Sequence, residues 1–220
     1  MSRIVLITGG AGGIGRATGE RFAAAGDTVV YADRSADALA ELGSPSDTVV
    51  ADVTVVADCE RMVAETVERH GRLDVLVNCA GVWVEGPTAQ MTEEEWDRTI
   101  DVNLKGTFFA CRFAIPHLER SEGCIVNLSS DAGLVGTAET AIYNASERRP
   151  PMLAGQAGDY GGDDREGYLA ALLANYQQKG RARFILPEEI ATLIVYLASP
   201  EAAPITGACI PIDFGSTAGY

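Results

Sequence analysis

Gly9, Gly10, Gly12, Gly13 and Gly15 crowd one turn of the 220-residue chain, directly after the apolar run Ile4–Ile7. Without Cβ atoms they let the backbone turn sharply and lie close against a bound group. Ile14, Ala17, Phe22 and Ala25 follow at near-helical spacing, so a helix starts near Gly13 to Gly15 with free N–H groups facing the turn. Such a helix start suits an anion, and a pyrophosphate in particular. Asp33 ends the next strand-like run, Thr28–Ala32, where a carboxylate can accept hydrogen bonds from ribose hydroxyls. Strand, glycine turn, helix and acid together point to a dinucleotide rather than to a plain βαβ turn. The charge of Asp33 would repel a 2′-phosphate and favour NAD over NADP; Arg34, next to it, works in the opposite direction.

The elements that must hold these groups alternate without a break. Short helix Ala36–Leu42, strand Thr48–Ala51 ending at Asp52-Val53, helix Ala57–His70 and strand Leu73–Val77 follow in turn. Thr92 with Glu95 three residues on is a capping-box start for a helical pattern running to about Glu119. Ile125–Leu128 makes a fifth strand, ending in Ser129-Ser130, and Pro187-Glu188-Glu189 opens a further helix. Cys209–Phe214 reads as a closing strand. The alternation implies a single α/β domain over 1–220, built on a doubly wound, mainly parallel sheet. Ligands in such sheets bind at the carboxyl ends of the strands, where the glycine turn, Asp33, Asp52, Asn78 and Ser130 all fall. The stretch 150–186, rich in glycine, proline and acid, reads as a mobile segment over the substrate.

Composition excludes several classes of function. A net charge of −14, with acids spread along the chain, disfavours nucleic acid and anionic membranes as partners. No apolar run approaches bilayer length, and the first strand begins too early for a signal peptide, so a cytoplasmic protein is expected. Cys59, Cys79, Cys111, Cys124 and Cys209 are odd in number and lack CxxC spacing, which reads as buried free thiols. His70 and His117 are isolated, so no metal site is expected.

The pattern Thr8-Gly9-x-x-x-Gly13-x-Gly15 resembles the glycine motif of the short-chain dehydrogenase/reductase family, and further motifs agree in order and spacing. Asn78-Cys79-Ala80-Gly81 looks like the family's NNAG motif, and Asp52-Val53 like the pair beside the adenine ring. Asn103, in DVNLKGTFF, matches the helix asparagine that holds a water for proton relay; read alone, it is a polar helix residue with a local hydrogen bond. Ser130 and Tyr143, thirteen residues apart, match the serine that orients the substrate carbonyl and the catalytic tyrosine. The resemblance thus implies catalytic roles for Asn103, Ser130 and Tyr143. It implies cofactor contacts at Gly9, Gly13, Ile14, Gly15, Asp33, Asp52, Val53, Asn78, Ala80 and Gly81. The implied reaction moves a hydride between a nicotinamide and a secondary alcohol or ketone, a small-molecule substrate.

The resemblance breaks after the tyrosine. The family motif YxxxK has a lysine that lowers the phenol pKa, and here Tyr143-Asn144-Ala145-Ser146-Glu147 puts an acid in its place. Glu147 then either faces the phenol or is swung into solvent by the junction. Lys105, Arg148 and Lys179 are the substitute cations to consider. Pro150 and Pro151 follow at once, so the helix and strand expected after the fifth strand are missing, which amounts to an internal deletion. The chain is therefore expected to be either an impaired oxidoreductase or an inactive NAD-binding relative. The family's usual tetramer should be altered, with Phe108 and Phe109 left exposed.

Overall fold

The computed structural model describes residues 2–43, 47–134, 139–147, 153–154 and 185–213. Strand β1 (Ile4–Thr8) runs through the middle of the sheet and is buried at all five positions, as its unbroken apolar run requires. It pairs in parallel with β2 (Thr28–Asp33) on one side and β4 (Val75–Asn78) on the other. Beyond β2 lies β3 (Asp47–Val50), and beyond β4 lie β5 (Cys124–Ser129) and β6 (Leu153–Ala154). Among the described residues the order is β3-β2-β1-β4-β5-β6, with every pair parallel. The chain reverses its direction of travel across the sheet between β1 and β4, and the crevice of such a sheet lies at the carboxyl ends of those two strands.

Strand alternation sends side chains to two cores. Val5, Ile7, Val29, Tyr31, Val75 and Val77 face α1 (Gly13–Ala24), through Phe22, and α7 (Pro187–Leu197), through Ile190 and Ile194. On the other face, Leu6, Val30, Ala32 and Leu76 pack on α3 (Val56–His70), through Cys59, Met62 and Val63. The same core takes in α5 (Thr107–Ser121), through Ala110, Ala114 and Leu118. Helix α2 (Ala36–Ala40) is shorter than expected and contributes Leu39. Asp74 is buried where β4 begins, holding the Ile4 N–H at 2.8 Å and the Arg72 guanidinium.

The expected long helix after Thr92 is two helices. Thr92 and Glu95 form the capping box of α4 (Glu93–Ile100), with Thr92 N–H on Glu95 Oε2 at 2.7 Å and Glu95 N–H on Thr92 Oγ1 at 3.2 Å. A π turn, Asp101–Gly106, then separates α4 from α5. The deletion expected after β5 falls for the most part on residues outside the described ones, 148–152 and 155–184. Among the described residues, helix α6 (Ala141–Glu147) has two turns, and β6 pairs with Leu128 and Ser129, the last two residues of β5. The end of α6 lies beside Ser129 and Ser130.

Two expectations need correction. Cys209–Phe214 is not a strand as far as it is described: Pro211, which has no N–H to donate, makes an isolated bridge, and Phe214 lies outside the described residues. The cysteines are free, but they are not uniformly buried: Cys59 is, Cys79, Cys111 and Cys124 are half-buried, and Cys209 is exposed. The segment 150–186 lies outside the described residues apart from 153–154 and 185–186. Among the described residues no helix is long and apolar enough to cross a membrane, and no cluster of side chains could hold a metal.

Candidate active site

At the crevice between β1 and β4, Gly9 takes φ +63°, a conformation that favours glycine, and a Cβ on it would lie 2.8 Å from Ala80 Cα. A Cβ on Gly15 would lie 2.2 Å from the Gly9 carbonyl oxygen. The two loops therefore touch backbone to backbone, and only glycine allows it. Gly12 caps α1 without a side-chain acceptor, leaving the N–H groups of Gly13, Ile14 and Gly15 as the open first turn. Beside them lies a cleft of about 200 Å³, lined by Gly9, Asp33, Asp52, Val53, Ala80 and Gly81 among others.

The acids at the rim are held by backbone. Asp33 accepts from Ala11 N–H at 3.2 Å and from Ser35 N–H at 3.1 Å, which ties the end of β2 to the glycine turn. Arg34 lines the same cleft. Asp52 accepts from Thr54 N–H at 2.9 Å and Thr54 Oγ1 at 2.8 Å, while its own N–H donates to Asp58 at 2.9 Å. That N–H, with the Arg61 guanidinium second, holds the Asp58 carboxyl below its usual range. This close fit of loops, open N–H groups and a fixed carboxylate suits the diphosphate and ribose of a dinucleotide.

Asn78 is 3% exposed and knits strands together. Its Nδ2 donates to Asn127 Oδ1 at 2.7 Å and lies 3.3 Å from Cys111 Sγ, and Thr8 Oγ1 accepts from Ala80 N–H at 3.3 Å. Asn127 was not singled out from sequence; an asparagine inside a strand between apolar neighbours is the signal that could have marked it. Cys79, where the motif has its second asparagine, lines the cleft as a thiol that burial pushes up to about 12.

Asn103 sits in the π turn, fully buried, and its side chain bonds across the fold. Its Oδ1 accepts from Val82 N–H at 2.8 Å, and its Nδ2 donates to Val82 O and to Ser146 Oγ, both at 3.0 Å. Ser146 Oγ in turn donates to Tyr143 O at 2.8 Å. Asn103 thus fastens the loop after β4 to α6, the helix carrying Tyr143. The Tyr143 ring meets the indole of Trp83 at a centroid distance of 4.5 Å, and Trp83 Nε1 donates to Glu85 at 2.9 Å. Sequence reasoning passed over Trp83; its place two residues after the Asn78–Gly81 motif is the only hint.

Ser130 is buried at the start of the turn Asp131–Gly133, which packs against α6. Its Oγ accepts from Ala132 N–H at 3.1 Å and lies 3.2 Å from Asp131 Oδ1. Glu147 is not swung into solvent. It is 6% exposed, and its Oε2 accepts from Ser130 N–H at 2.9 Å. Of the substitute cations, Lys105 is paired with Asp101 at 3.1 Å, and Arg148 and Lys179 lie outside the described residues.

The chain as a whole is similar to known proteins. The sequence profile of short chain dehydrogenases matches residues 3–148. The meso-2,3-butanediol dehydrogenase of Serratia marcescens is 34% identical, over 99% of this chain and 95% of that protein. A 3-oxoacyl-(acyl-carrier-protein) reductase of Thermotoga maritima is 35% identical, over 97% of each. The first of these alignments spans 239 positions, more than the 220 residues present, so it must open gaps in this chain. The crystal structure of gox2181 superposes with a TM-score of 0.90 at 28% identity, covering 98% of this chain and 96% of that one.

Proposed function

The chain belongs to the short-chain dehydrogenase/reductase family, whose oxidoreductases use a nicotinamide cofactor, and from that premise we propose that it is an NAD-dependent oxidoreductase acting on a secondary alcohol or ketone. The observation that carries the reading is the crevice itself, where glycine-only contacts, an open helix start and Asp33 meet within reach of one ligand. Gly9, Gly13, Ile14 and Gly15 would face the diphosphate, Asp33 the adenosine ribose, Asp52 and Val53 the adenine, and Asn78, Ala80 and Gly81 the wall beyond. When bound, the nicotinamide supplies the acceptor or donor of the hydride.

The protein's own part is to orient the substrate and move a proton. Ser130 Oγ orients the substrate oxygen, and the Tyr143 phenol takes a proton from the alcohol or returns it to the carbonyl. Trp83 excludes water from one side of that phenol. Asn103 holds α6 in place through Ser146, and this supports its assignment to the machinery. The free thiols support a reducing, cytoplasmic setting. Phenol chemistry is weakened here, because position 147 lacks the lysine whose cation would favour the phenolate.

The buried carboxylate of Glu147 in the lysine's place favours a second reading, an NAD-binding relative without turnover. One experiment separates the two: NAD reduction against a panel of secondary alcohols, run beside calorimetric NAD binding. Turnover that disappears in Tyr143→Phe supports the enzyme, and binding without turnover supports the second reading.

A further inference from the structure

Glu147 is the last residue of α6, and both its polar ends reach the carboxyl end of β5. Its main-chain oxygen accepts from Ser129 Oγ at 2.9 Å, and its side-chain Oε2 accepts from Ser130 N–H at 2.9 Å. The pairing of β5 with β6 takes in Leu128 and Ser129, and at the next residue the carboxylate takes the backbone N–H instead. Ser130 is 3% exposed, so its N–H needs an acceptor within the protein, and the carboxylate supplies one. The main chain of Ser130 then turns away at φ −108°, ψ 153°, into Asp131–Gly133, with Gly133 N–H on Ser130 O at 3.0 Å.

Resting on the reading of Ser130 as the substrate-orienting group, we propose that Glu147 is a positioning residue that fixes the Ser130 backbone, and so the direction of its hydroxyl, through the carboxylate bond to Ser130 N–H. Where α6 ends beside β5, the residue at 147 meets a backbone donor, and a lysine ammonium, which has no acceptor, cannot satisfy it. Glu147→Lys would restore the family motif on paper and break this bond in the molecule.

The test is amide hydrogen exchange at Ser130 and, as an internal control, at Val77 in β4, measured on the full chain for the parent and for Glu147→Gln, Glu147→Ala and Glu147→Lys. Glutamine keeps an acceptor oxygen and should hold Ser130 exchange within about 5-fold of the parent. Alanine and lysine should speed it by roughly 10- to 100-fold, the loss expected for a charge-assisted bond, with Val77 unchanged. Unchanged exchange at Ser130 in Glu147→Ala overturns the proposal, as does parallel acceleration at Val77, which would mean a general loss of structure. With alcohol turnover in hand, Glu147→Ala should lower kcat while leaving KM for NAD in place, and Glu147→Gln should recover most of it. Equal kcat in parent and Glu147→Ala also overturns positioning. Lack of turnover in all four proteins would defeat the oxidoreductase reading, and the exchange rates would still decide the role of Glu147.

Discussion

The indole of Trp83 lies 4.5 Å from the ring of Tyr143, centroid to centroid, and tilted by 53°, so the residue proposed to move the proton is braced by an aromatic that is itself tied to Glu85. A substrate whose oxygen meets the phenol must pass close to that indole. Trp83→Ala is expected to raise KM for an apolar ketone by roughly 5- to 30-fold, the worth of about 1–2 kcal/mol of aromatic contact, and to leave NAD affinity unchanged. Steady-state kinetics with NADH, paired with calorimetry, measures both quantities.

Asp33 should decide the cofactor. Its carboxylate is already fixed by the N–H groups of Ala11 and Ser35, so it meets a ribose without reorganising. Parent protein is expected to bind NAD more tightly than NADP. In Asp33→Ser the NAD affinity should fall about ten-fold or more as charge-assisted bonds are lost, and the gap to NADP should narrow or reverse toward Arg34. Titrating both cofactors into both proteins is decisive, and tighter NADP binding by the parent would count against the assignment.

Cys59 makes alkaline stability predictable. Burial, with Asp58 and Asp52 next in effect, pushes its thiol from the ordinary 9.0 up to about 11. A thiol raised on folding gives up its proton more readily in the unfolded chain. Its stabilising effect is therefore complete below pH 9.0 and lost as pH rises toward about 11, at up to ~1.4 kcal/mol per pH unit. Denaturant titrations of the parent from pH 8 to pH 11 should show that decline, and Cys59→Ala should make it shallower, the part from Cys79 remaining, while costing a pH-independent amount.

The outer face of α5 carries Phe108, 61% exposed, with Ile115 also exposed on the same helix and Leu104 exposed in the π turn before it. Phe109, expected to be exposed with it, instead packs partly against the α3–α5 core. Light scattering is expected to show an assembly other than a tetramer in the parent and a smaller one in Phe108→Lys.

Local signals were legible and distant ones were not. The glycine turn, β1, the Thr92–Glu95 box and the Pro187 helix start each depend on residues within one or two turns, so their sequence carries their geometry. The π turn at Asp101–Gly106 does not, because the bonds of Asn103 reach Val82 and Ser146 across the fold. Glu147 is the sharpest case. Spacing along one helix pairs it with Tyr143, four residues back, but its carboxylate bonds to Ser130, seventeen residues back in the chain and adjacent only after folding. The closing strand failed for the opposite reason: an apolar run suggested it, and Pro211 within that run cannot donate to a ladder.

Helix α7 comes from the last part of the chain yet lies on α1, near its beginning, and Arg3 joins the two regions by bonding Asp27 and the Ala198 carbonyl. Ile190 and Ile194 complete the core that Phe22 begins. During synthesis, then, the part of that face which α7 covers waits for residues 187–197 long after α1 has been made, at roughly 5–20 residues per second. A nascent chain halted before Pro187 would show Val5, Ile7 and Phe22 to chaperones. A circular permutant that places 187–213 ahead of β1 would close that face first and should reach its native state with less need of them.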